Sequence, residues 1–153
     1  MRRIEQYAIS YGFLGFYVLP LQNKSKRPHP YLAKEGLYSA TNDSVKILSW
    51  FIKNPNINIG IACQPSGLVV FDVDERNGGS IEGLPPTRTI KTGNGYHYYY
   101  KADSSMNFPG KYRQGIDIKW RGYVVAAPSI HPSGSTYEIC DNRPVAEIGA
   151  WYK

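Results

Sequence analysis

The spacing of apolar residues changes character near Asn58. Before it, apolar positions recur at helical intervals; after it, they form short alternating or continuous runs typical of strands. From about Arg3 to Tyr11, Ile4, Tyr7, Ala8 and Tyr11 share a helical spacing that stops at Gly12. GFYVLPL then predicts a first strand closed by Pro20, and QNKSKRPHPY an exposed basic turn. In TNDSVKILSWFIKNPN, Thr41, Asn42, Asp43 and Ser44 offer caps, Val45, Leu48, Ser49 and Ile52 fall on one face, and Asn54 and Pro55 end the helix. NIGIACQ and GLVVFDVD, joined by Pro65, Ser66 and Gly67, predict an antiparallel hairpin. TRTIKTG, YHYYYKA, GIDIKW, GYVVAAPS and STYEIC follow as further strands. Helices first and strands afterwards predict an α+β fold and not a repeating βαβ sheet.

A chain of 153 residues with 42% hydrophobic content suits one compact domain spanning 1–153. No apolar run approaches the roughly 20 residues of a membrane span and no signal peptide is visible, so a soluble, cytoplasmic protein without a membrane partner is expected. Cys63 and Cys140 have no metal-ligand spacing and read as free, buried thiols. The net charge of +6, with 13 tyrosines and 3 tryptophans, suits a polyanion with stackable bases. Cations gather at Lys24, Lys26 and Arg27, and again at Lys111, Arg113, Lys119 and Arg121.

Asp72 and Asp74 lie two apart on a predicted strand and therefore point to one face. Such a pair is either solvated at a strand end or a site for a hard divalent ion, and spacing alone leaves both open. Asp117, between Ile116 and Ile118, faces away from those isoleucines and makes a third candidate ligand. Three carboxylates on two neighbouring strands suit two ions about 3.5 to 4 Å apart, as in nucleotidyl transfer. His97 follows the Gly93, Asn94, Gly95 turn, whose backbone N–H groups can approach phosphate, although such turns also simply close hairpins. Lys119 and Arg121, on the same side as Asp117 in a regular strand, are either a solvated face or partners for a triphosphate. Ser129 and His131 occupy a Pro-bounded loop that either closes over a ribose or connects strands.

In order, YAISYGFLGFYVLPL, the KSKRP turn, NIGIACQPSGLVVFDVD, TRTIKTGNGYHYYY, GIDIKWRGYVVAAPSIHPSG and YEI resemble the bifunctional DNA primase/polymerase (prim-pol) family of the archaeo-eukaryotic primase superfamily, over nearly the whole chain. The resemblance implies a small α/β N-terminal part packed on an RRM-like β-rich unit, with the active site in the cleft between them. It implies Mg²⁺ or Mn²⁺, two ions, on Asp72, Asp74 and Asp117, and contact of His97 with the incoming nucleotide. Many relatives carry serine two residues before that histidine, where this sequence has Gly95. NTP or dNTP, a single-stranded DNA template and a helicase domain or protein are the implied partners, in a prokaryotic, plasmid or phage setting. The expected function is template-directed synthesis or extension of primers. In that scheme Gly93, Asn94, Gly95, Lys119, Arg121, Ser129 and His131 serve the nucleotide, and Lys24, Lys26, Arg27, Lys111 and Arg113 serve the nucleic acid. The alternative is a prim-pol-like module that binds nucleotide or single strands without polymerising. A metal-dependent nuclease shares the carboxylates but leaves His97 unexplained.

Overall fold

A computed structural model describes residues 3–152. Helix α1 (Ile4–Phe13) and helix α2 (Ser44–Lys53) are its two α-helices, and both precede the main run of strands. The Asp43 carboxylate caps α2 by accepting a hydrogen bond from the Val45 N–H at 3.0 Å. The buried face of α2 is Ile47, Trp50 and Phe51, while Val45, Leu48 and Ile52 are exposed, so the face expected from sequence is the solvent face. Both faces carry apolar residues at helical spacing. Trp50 and Phe51 remove more surface from water than Val45 and Ile52, which decides the orientation.

Among the described residues ten strands form two sheets. The smaller is antiparallel, in the order β1 (Tyr17–Leu21), β2 (Asn58–Ala62), β8 (Tyr123–Val125). Pro20 lies inside β1 instead of closing it, because an edge strand tolerates a missing N–H. The larger runs β6 (Lys111–Arg113), β7 (Ile116–Lys119), β3 (Leu68–Asp74), β5 (Gly95–Lys101), β4 (Thr89–Lys91), β9 (Glu138–Asp141). A two-residue strand, β10 (Ala146–Glu147), lies parallel to the end of β5.

The expected β2–β3 hairpin does not form. A 3-10 turn at Gln64–Ser66, with Gly67 at φ +65°, sends the chain from the small sheet into the large one. β2 is buried at every position and pairs with β1 and β8, so the turn signal was right and the pairing wrong. Leu68 and Val70 of β3 join Ile47, Trp50, Ile59, Ile61 and Val124 in a core shared by both sheets and the helices. Val69, Phe71 and Val73 point the other way, into an aromatic cluster with Tyr100, Ile116, Ile118 and Trp120. Cys63 and Cys140 are both free; Cys63 is buried, which pushes its thiol up to about 12, whereas Cys140 is exposed and departs from expectation. Among the described residues no helix is long and apolar enough to cross a membrane.

Candidate active site

Along one face of β3, Leu68 and Val70 lie in the shared core, and Asp72 continues that face into a polar cleft of about 380 Å³. That volume is within the range of small-molecule sites. Register sets the rest. Asp117 of β7 stands directly opposite Asp72 on one side and His97 of β5 on the other, so three strands present a row Asp117, Asp72, His97. Asp72 and Asp117 remain partly exposed, with side chains 32% and 48% accessible, so both carboxylates are open to the cleft.

The Nε2 of His97 is 3.5 Å from Asp72 Oδ1. Burial drives the imidazole pKa down to about 4; Asp72 opposes that drop, while Lys26 and Lys119 add to it. His97 is therefore neutral at pH 7, and its approach to Asp72 is a dipolar contact, not an ion pair. Its Nδ1 is buried and has no hydrogen-bond partner among the described residues, a costly condition. The Lys111 Nζ lies 3.6 Å from Asp117 Oδ1.

Asp74 behaves differently. Its Oδ1 accepts from the Arg76 N–H at 3.0 Å and its Oδ2 from Asn77 Nδ2 at 2.8 Å, capping the 3-10 turn that follows β3. The carboxylate lines the cleft but is engaged by its own loop. Asp72 and Asp117 supply, side by side, the carboxylate oxygens that hard ions take. Among the described residues, however, no group of three His, Cys, Asp or Glu side chains is gathered closely enough to hold an ion.

The turn after β4 is tied to the end of β3, because the Asn94 carbonyl accepts from the Glu75 N–H at 3.0 Å. Asn94 lines the cleft, and Gly93 lies against the His131 ring. Gly95, opposite Asp74, is buried, and a β-carbon there would be driven into the Val73 carbonyl oxygen. No side chain fits between β3 and β5 at this point, which accounts for the glycine.

His131 lines the cleft, its Nδ1 2.8 Å from Ser133 Oγ, and partial burial followed by Lys26 and Arg76 lowers its pKa. Lys119, the last residue of β7, lines an adjoining cavity of about 190 Å³ that shares Lys26, Asp72, His97 and Tyr137 with the cleft. Arg121 lies beyond the strand and donates to Asn107 Oδ1 at 3.0 Å, so the regular alternation that would align it with Asp117 has ended. Ser129 is fully buried, and its hydroxyl exchanges two hydrogen bonds with the backbone of Ile59, stapling the loop to β2 instead of facing a ribose. Arg113 donates to the carbonyls of Ser80 and Glu82, Arg27 is exposed outside the cleft, and Lys24 lines a separate hollow. Lys26 and Lys111, grouped by sequence with nucleic-acid contacts, line the cleft itself.

Arg76 and Tyr137 escaped the sequence reading. Arg76 directly follows the Asp-Val-Asp-Glu run, a signal within reach. Tyr137 had none: it enters from a distant segment, its ring 6.2 Å from that of His97 and 5.8 Å from that of His131, and burial then Asp72 push its hydroxyl up to about 12.

The model of the bifunctional DNA primase/polymerase N-terminal family matches residues 8–151. The chain belongs to this family. Comparison with curated proteins finds no match. Membership implies nucleotide and nucleic-acid substrates and, in general, dependence on divalent metal, and the primase/polymerase match spans every residue of the Asp117, Asp72, His97 row.

Proposed function

We propose that the chain is a template-directed nucleotidyltransferase that makes or extends primers from NTP or dNTP. The observation that carries this reading is the row Asp117, Asp72, His97, fixed by strand register at the floor of a polar cleft with cations around it. Asp72 and Asp117, side by side, would offer carboxylate oxygens to Mg²⁺ or Mn²⁺, and the proposed two-ion site needs Asp74 to leave Arg76 and Asn77 and join them; bound there, the ions would supply charge that steadies a triphosphate and lowers the pKa of a primer 3′-hydroxyl. Neutral His97 can hydrogen-bond an anionic oxygen through one ring nitrogen, and Lys26 and Lys119 supply counter-charge. In this reading an N-terminal α/β part packs on an RRM-like β-rich unit. The adjoining cavity, lined by Asp72 and His97 of the large sheet and Tyr123, Val124 and Val125 of the small one, supports a site at their junction.

The test is incubation with a single-stranded template, labelled nucleotides and Mn²⁺ or Mg²⁺, with the Asp72→Ala, Asp74→Ala double variant as control. Extended product from the wild type and none from the variant is the expected result; equal product from both overturns the mechanism. One observation favours a second reading, a module that binds without polymerising: Asp74 is already bonded to Arg76 and Asn77. Nucleotide binding that needs no divalent ion would select that reading.

A further inference from the structure

Two hollows outside the cleft share Asn23, Pro55, Asn56 and Ile57 and so run together as one groove. Among the described residues no acidic side chain lines either. Their polar lining is amides with Lys24 and Lys53, and Tyr31, 77% exposed, stands in the wall with its ring 6.1 Å from that of His29. His29 is itself held, because its Nδ1 accepts from the N–H groups of Tyr31 and Leu32, both at 3.2 Å. The groove is also joined to the cleft through one short loop: Lys24 lines the groove, and Lys26, two residues later, lines the cleft.

That loop is fixed in place. The Tyr123 hydroxyl donates to the Lys26 carbonyl at 2.6 Å, and Asn58 Nδ2 donates to the Ser25 carbonyl at 3.1 Å. Within it Lys24, at φ +51°, is the only non-glycine residue with positive φ among the described residues. A side-chain-bearing residue occupies that region at a cost, and such strain concentrates at working sites.

We propose that this groove carries a single strand of nucleic acid, the template, towards the cleft. Bases stack on Tyr31 beside His29, phosphates meet Lys24 and Lys53, and the amides of Asn23 and Asn56 meet base edges. The proposal rests on the primase/polymerase reading. An acid-free lining in a chain of net charge +6 favours a polyanion, and an exposed ring in the wall favours unpaired bases over a duplex.

The experiment is fluorescence anisotropy of a labelled single-stranded DNA of about 12 nucleotides across a salt series, a length within the site sizes of known single-strand binders. Tyr31→Ala is expected to weaken binding about tenfold. Lys24→Ala and Lys53→Ala should each weaken it several-fold and flatten the salt slope by about 0.7. Lys101→Ala, at an exposed lysine at the end of β5, removes the same charge away from the groove and should stay within about twofold of wild type. Unfolding curves confirm that the variants, all at exposed positions, remain folded. The proposal is overturned if the wild type binds no single strand, if a duplex of equal length binds as tightly, if the groove variants stay within about twofold, or if Lys101→Ala loses as much as they do. Divalent-dependent nucleotide binding by the wild type, measured without DNA, judges the wider reading separately.

Discussion

Val69, Phe71 and Val73 enter a cluster of aromatic rings, while Leu68, Val70, Asp72 and Asp74, on the opposite face of β3, run from the shared core into a polar cleft. Phe71 alone has the rings of Tyr100, Tyr112, Trp151 and Tyr152 within 6.0 Å. The aromatic face spends its side chains on holding the strand still. The other face then has freedom to keep two carboxylates abreast, which no folding force favours. Because strand alternation separates the two jobs residue by residue, damage to one should leave a different signature from damage to the other.

The largest effect should come from the polar face. Asp72→Ala is expected to lower primer synthesis by several orders of magnitude, since charge positioning dominates this type of catalysis, with little change in unfolding midpoint; primer-extension assays and melting curves check both halves. Phe71→Ala should do the reverse in kind, costing about 3–5 kcal/mol of stability in denaturant unfolding through the cavity it leaves among buried rings. If Asp72→Ala proved as destabilising as Phe71→Ala, the division between the faces would fail.

A pH titration sharpens the comparison next. His97 has its pKa lowered from 6.5 to about 4, so above about pH 6.5 folded and unfolded chains carry the same neutral ring. As pH falls through the window from about 6.5 to about 4, the unfolded state binds the proton first, and stability should drop by about 3 kcal/mol. Below the folded value no more is lost from this residue. Unfolding curves on the wild type and His97→Gln across that window should differ in slope, the variant being flatter. The smallest effect separates two neighbouring cations: Lys119→Ala should weaken triphosphate binding about tenfold, and Arg121→Ala by less than about twofold, as measured by nucleotide titration with divalent metal.

Much of this was legible in local signals. The cap at Asp43, the alternation along GLVVFDVD and the opposed direction of Asp117 and its isoleucines all follow from one strand or helix at a time. What stayed hidden depends on pairing. Nothing local says that β2 and β3 part into different sheets, that Tyr137 comes to lie between His97 and His131, or that Ser129 is used up by Ile59. The face of α2 was misread for a related reason: two apolar stripes compete, and only the partner surface decides between them. Arg121 shows the limit of extrapolated alternation, since a strand's phase has no meaning past its last ladder residue.

Gly95 bears on descent. Because β3 and β5 meet there by main chain alone, a lineage carrying this glycine cannot acquire serine by one substitution without prying apart the strands that hold Asp72 and His97. Residue 95 and the strand spacing must change together or not at all. The position therefore works as a spacer gauge: any side chain added at residue 95 is read out as a change in the distance between the strands that carry Asp72 and His97.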